Sequence, residues 1–87
     1  MLLQKQLARI ERIDFLIRRR ATGSPKALAN KLDISDRTLR SLLTQMREMG
    51  ADIYYDSHKM SYSYKKPYCF FFGFIHEESV KSLKQIN

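Results

Sequence analysis

The segment "SPKALANKLDISDRTLRSLLTQMREMG", from Ser24 to Gly50, limits what this chain can fold into more than any other stretch. It packs two helix starts and two helix stops into one short span. Ser24 is placed to cap a helix whose first position is Pro25; proline suits that position because its φ is already helical and its missing N–H would be unbonded there. Leu28 and Leu32 then fall on one face, while Ala27 and Ala29 are small enough to admit a neighbouring helix. Asp33-Ile34 reads as a tight turn. Ser35 next caps a further helix with Leu39, Leu43 and Met46 as its buried stripe and Leu42 and Met49 at the flanks, and Gly50 terminates it. The opposite side is left with Arg37, Arg40, Ser41, Thr44, Arg47 and Glu48. A helix that only fills a core has no use for that set. A helix that lies on a polar, negatively charged surface does.

The flanking residues supply one helix before this pair and a change of period after it. From Leu2 to about Arg20, residues Leu3, Leu7, Ile10, Ile13 and Ile17 recur on one helical face, with Leu16 at its edge. Lys5, Arg9, Arg12 and Arg19 occupy the other side together with Phe15, an unusual place for a core aromatic. "ATGS" breaks the helix, and Gly23 is a natural turn residue. Beyond Gly50 the period drops to two: "ADIYYD" and "SYSYKK" flank "SHKM", which predicts a two-stranded hairpin, and Pro67 interrupts strand pairing further on. "HEESVKSLKQI" predicts a last short helix with Val80 and Leu83 on one side and Ile86 at its margin. The fold class expected is α+β.

Charge narrows the partner. The formal net charge is +7, and it is uneven: residues 1–50 carry eleven Lys/Arg against five Asp/Glu, residues 51–87 five against four. A basic helical half points to a polyanion, nucleic acid before an anionic membrane surface. No apolar run is long enough to span a membrane, and no signal-peptide pattern precedes the first helix. With Cys69 as the only cysteine, no internal disulfide or cysteine-based zinc site is possible, and a cytoplasmic setting is expected. The setting "PYCFFFG" reads Cys69 as a small buried hydrophobe. No nucleophile-base pair, phosphate-cradling glycine loop or metal-ligand spacing is present, so neither an enzyme nor a cofactor nor a small-molecule site is expected.

Three helices, a tight turn and a hairpin follow one another in the order of a winged helix-turn-helix. At residue level, "SPKALANKLDISDRTLRSLLTQMREMGADIYYD" resembles the N-terminal DNA-binding domain of DeoR-type and WYL-type bacterial transcription regulators, and more loosely that of biotin-repressor proteins. Leu28-Ala29, Leu32, Ile34, Ser35, Arg37, Thr38, Leu39 and Arg40 meet the family's pattern; Leu43, Met46, Arg47, Gly50 and "DIYYD" fit downstream, and the resemblance covers about Ile10 to Tyr64. It implies a winged helix-turn-helix over residues 1–66, with residues 67–87 as an aromatic tail and short helix. Three departures stand out. Asp33 replaces the usual turn glycine, Ser41-Leu42 stands where DeoR-like proteins have Arg-Asp, and Met60-Ser61 replaces Gly-Gly in the wing. No counterpart of the ligand-sensing domain that follows in those families is expected in these residues.

The resemblance implies a small regulator that binds double-stranded DNA by occupancy of an operator. Arg37, Arg40, Ser41 and Thr44 would reach base edges in the major groove. Ser35, Thr38, Lys26, Lys31 and Arg47 would serve phosphate contacts, and His58 and Lys59 at the wing would reach the backbone or minor groove. The alternative is a winged-helix module that binds a protein or RNA. Each residue also has a plainer role: Ser35 is first of all a helix cap, Arg47 an ordinary solvated side chain, and His58 a loop residue. His76, beside Glu77 and Glu78, is better explained by helix initiation than by metal binding. The run Arg18–Arg20 is equally a phosphate clamp or the solvated end of a helix.

Nine of the ten aromatics lie between Tyr54 and Phe74, more than a two-stranded hairpin can bury. Either Phe70, Phe72 and Phe74 alternate inward against the first helix, or the tail forms a homodimer seam with Phe15 and Leu83. The homodimer is the favoured expectation.

Overall fold

Each of the three helices ends on a residue with left-handed backbone, and these turns lay out the chain. In the computed structural model, which describes residues 2–74 and 76–78, α1 spans Leu2–Arg18, α2 Pro25–Leu32 and α3 Asp36–Glu48. Arg20 (φ 52°), Asp33 (φ 57°) and Gly50 (φ 111°) carry the left-handed turns. After each, the next N–H reaches back five residues: Ala21 to the Leu16 carbonyl at 2.9 Å, Ile34 to Ala29 at 3.0 Å, Ala51 to Met46 at 3.1 Å. Carbonyls that a helix end leaves open are thereby satisfied. Asp33 adopts the left-handed conformation expected of the turn, which aspartate reaches at lower cost than most residues.

The hairpin consists of β1 (Ile53–Asp56) and β2 (Ser61–Tyr64), paired antiparallel with Ile53 opposite Tyr64 and Asp56 opposite Ser61. Its turn is built by Asp56, whose carboxylate accepts the His58 N–H at 3.0 Å and the Lys59 N–H at 3.2 Å. Met60 (φ 52°) takes the left-handed position where glycine is usual. Among the described residues the result is an α+β architecture of three helices and one two-stranded antiparallel sheet. Among the described residues, no helix is long and apolar enough to cross a membrane.

The core follows the expected stripes with specific exceptions. Ile10, Ile13 and Ile17 of α1 meet Leu28 and Ala29 of α2, Leu39, Leu42, Leu43 and Met46 of α3, and Ile53 and Tyr62 of the hairpin. Leu3 does not join them: it is 60% exposed, and among the described side chains of α1 the core begins at Ile10. Met49, at the end of α3, is likewise exposed. Cys69 is exposed, not buried, since its neighbours Tyr68 and Phe70 are the residues that turn toward the body. Inward alternation of the tail also fails beyond Phe70, which packs on the core; Phe72 is 61% exposed and Phe74 fully so. Val80, Leu83 and Ile86, and with them most of the expected last helix, lie outside the described residues.

Two polar links that hydrophobic periodicity does not reveal tie β2 to the helices. Thr22, in the α1–α2 loop, and Ser61 are both fully buried. The Tyr62 N–H donates to Thr22 Oγ1 at 2.8 Å, the Thr22 N–H donates to Ser61 Oγ at 3.3 Å, and the two hydroxyls lie 3.1 Å apart. At the far end of β2, the Tyr64 hydroxyl donates to the buried Asp14 carboxylate at 2.7 Å, and Arg18 Nε donates to its other oxygen at 3.1 Å. Burial, and then the bond to Asp14, push the Tyr64 pKa above its ordinary 10.0. The folded chain therefore holds this proton more tightly than the unfolded chain. Its contribution to stability is complete below pH 10 and is lost as pH rises above that. Tyr64→Phe is expected to cost about 1 kcal/mol at neutral pH. It should also flatten the alkaline fall in stability, seen as urea midpoints measured from neutral pH upward; Tyr62, shifted in the same direction by burial, retains part of that slope.

Candidate nucleic-acid interface

The outer face of α3 is set by how the helix begins. Ser35 Oγ accepts the Thr38 N–H at 3.1 Å, and the Ser35 hydroxyl donates to Thr38 Oγ1 at 3.0 Å. Ser24 caps α2 in the same way, accepting the Ala27 N–H at 3.1 Å. With the left-handed Asp33 between them, the two caps fix the direction of α3 relative to α2. Leu39, Leu42, Leu43 and Met46 turn inward, so Arg37, Arg40, Ser41 and Thr44 are all exposed. Neither the Arg37 nor the Arg40 guanidinium has an ion-pair or hydrogen-bond partner among the described residues. Both side chains face solvent.

Arg40 also walls a cleft of about 490 Å³ between the start of α2, the side of α3 and β2. Pro25, Lys26, Leu39 and Tyr62 share that wall with Asp36. Lys26 and Arg40 make the cleft attractive to phosphate, whereas the Asp36 carboxylate, favourable at the α3 N-terminus, restricts where an anion can sit. Tyr62 and Asp36 were not among the residues expected here. The period-two pattern that places Tyr62 on the inner hairpin face was a usable signal for the first; no pattern announced the second.

The remaining expected contacts divide by what else they hold. Lys31 Nζ donates to the Ala21 carbonyl at 2.7 Å, which turns it onto the α1–α2 loop. Arg47 Nε donates to the Ile53 carbonyl at 3.2 Å, clamping the end of α3 to β1. The Thr38 hydroxyl is engaged with Ser35 and its side chain is half-buried. His58 and Lys59 sit exposed in the hairpin turn. The run at residues 18–20 serves three purposes: Arg18 pairs with Asp14, the Arg19 guanidinium lies 4.2 Å from the centre of the Phe15 ring, and Arg20 forms the left-handed turn. Phe15 is thus half-exposed beneath a cation.

Of the tail residues, Phe70 and Phe72 share a cleft of about 410 Å³ with Met46, Met49 and Tyr68, and Phe15 is not part of it. Leu83 lies outside the described residues. His76 Nδ1 and Glu78 Oε1 are 4.0 Å apart and both side chains are exposed. Among the described residues no three His, Cys, Asp or Glu side chains gather as a metal site requires. Comparison of the chain with protein-family models, curated proteins and solved structures gave no match.

The division between tied and untied arginines has a measurable consequence. Arg47→Ala is expected to lower folding stability by about 1 kcal/mol through loss of its bond to Ile53. Arg37→Ala and Arg40→Ala should stay within about 0.5 kcal/mol of the parent chain. Denaturant midpoints for the three variants check this, and a large loss in Arg40→Ala would show that its exposed face is structural.

Proposed function

We propose that this chain is a winged helix-turn-helix protein that binds double-stranded DNA in a sequence-specific way, a small transcriptional regulator acting by operator occupancy. In this reading α3 lies in the major groove and the hairpin is the wing, set on the backbone or minor groove. The observation that carries it is the pair Arg37 and Arg40, exposed on the first turns of a capped helix with no partner among the described residues. Arginine on such a turn can bond guanine through two nitrogens, which is worth about 1–3 kcal/mol of discrimination against a wrong base. Ser41 and Thr44 extend the same face. Lys26 and Arg40, which both line the cleft beside it, suit phosphate. Lys31, bonded through Nζ to its own chain, contributes field but not reach, whereas Arg47, held through Nε, keeps its terminal nitrogens for phosphate.

Selection of bound duplexes from a random pool tests the reading directly. Recovered sequences should share a motif, affinity should fall steeply with salt as phosphate counterions are released, and Arg40→Ala should relax base preference with the fold intact. Preference for RNA over duplex DNA in competition would instead favour an interaction module.

The exposed Phe71, Phe72 and Met49 favour a protein contact as well, and a second copy of the chain is the partner proposed. Two-fold symmetry would place two α3 helices about 34 Å apart, on successive turns of the groove. Sedimentation should give a concentration-dependent dimer weakened by Phe72→Ser; a monomer at working concentration would remove this part of the proposal.

A further inference from the structure

The far end of the hairpin holds a second basic hollow that shares no lining residue with the α2–α3 cleft. It encloses about 460 Å³ where the end of α1 meets the end of β2. Arg18 and Arg20 stand on one wall, Lys65 and Lys66 on the other; among the described residues no acidic residue lines it, though the buried Asp14 bonds Arg18 and Tyr64 from behind. The backbone that carries these four cations is held in place. Arg20 lies in the left-handed turn, with its own N–H bonded to the Ile17 carbonyl at 3.0 Å. The Lys65 N–H continues the ladder to Asp52 O at 2.9 Å, and the Tyr68 N–H closes a tight turn onto Lys66 O at 2.9 Å. The Tyr68 ring then packs edge-on against Tyr64, 5.4 Å between centroids. Arg18 is oriented through Nε by Asp14, which leaves its terminal nitrogens uncommitted among the described residues.

A second, independent feature lies in the same lining. Ser63 is 7% exposed, and its hydroxyl has no hydrogen-bond partner among the described residues. A buried hydroxyl without a partner is costly, and it belongs to the same lining as the four cations, of which Arg18 alone has a carboxylate partner among the described residues. One ligand chemistry answers both: a multiply charged group with several acceptor oxygens, bonded by cations on two walls and by the Ser63 hydroxyl once it rotates toward the group. The hollow is concave and falls in the size range of small-molecule sites, which suits a compact ligand better than a long polymer surface.

We propose that this hollow binds the phosphoryl group of a small phosphorylated molecule. The site is independent of α3 and stands whether or not α3 binds duplex.

The test uses the full chain and inorganic phosphate as probe, titrated at constant ionic strength against chloride and followed by amide chemical shifts and thermal unfolding. Saturable shifts are expected at Arg18, Arg20, Ser63, Lys65 and Lys66, with a rise in Tm. Arg20→Gln combined with Lys66→Gln, both on the surface, should weaken phosphate binding by about tenfold or more, whereas Arg40→Ala should leave it unchanged. Ser63→Ala separates a ligand group from a packing defect: it should raise Tm without phosphate and reduce the gain that phosphate gives. The proposal is overturned by shifts that fail to saturate, by shifts centred on α3, or by a Ser63→Ala chain that keeps the full phosphate gain. Response at these residues only to duplex DNA, or only to phosphatidylglycerol vesicles, overturns it as well.

Discussion

A hairpin with four residues in each strand does not hold together in water by itself, so the whole arrangement depends on how β2 is fastened to the helices. The fastening is polar as well as apolar. Thr22 and Ser61 lock the start of β2 to the α1–α2 loop, and Asp14 with Tyr64 locks its end to α1. Between these points Tyr62 fills the core and Ile53 joins it from the partner strand. Because the first lock is buried and the second is half-buried on a buried carboxylate, each bond is hard to replace with water, and losing one partner strands the other. The walls of both basic hollows are formed in part by β2 or the residues just after it, so their shapes are inherited from these two locks.

The same logic sorts the charge. A net charge of +7 on a small domain invites a polyanion, yet the cations are not equivalent. Arg18, Lys31 and Arg47 are bonded within the chain, and Arg19 covers Phe15. These would be present in a protein that bound nothing. Arg37 and Arg40 have no such duty among the described residues, and they stand on the one helix face whose other members, Ser41 and Thr44, are polar and exposed. Mere basicity is weak support for nucleic-acid binding. A pair of arginines excused from internal duty, on a capped helix at the rim of a cleft, is stronger support.

What was legible in the sequence was local. Ser24, Pro25, Ser35, Asp33 and Gly50 act on backbone within a few residues of themselves, so their caps and turns could be read directly, and the shift from helical to two-residue period located the hairpin. The failures are of two kinds. Asp14, Thr22 and Ser61 find partners 39 to 50 residues away in the chain, and no local pattern distinguishes them from solvated polar residues. The tail misled for a different reason. Alternation implies an inner and an outer face only while a strand has a neighbour, and the pairing ends at Tyr64, so Phe72 and Phe74 have no inside to point to. Cys69 was misjudged on the same ground. Leu3 keeps the helical register of the core residues but stands beyond the part of α1 that the other elements cover.

The two ends of α3 carry opposite surfaces, and that polarity bears on whether the proposed DNA and dimer contacts can coexist. Arg37 and Arg40 lie in its first turns, while Met46 and Met49, in and just after its last turn, border the apolar cleft with Phe70 and Phe72. A second copy seated on that cleft would bury side chains at the C-terminal end and need not cover the arginines. Had the exposed aromatics surrounded Arg37, burying them would have stripped water from an unpaired guanidinium, at a cost that no modest apolar gain offsets. Their separation along one helix makes the pairing of copies and the binding of an anion energetically compatible.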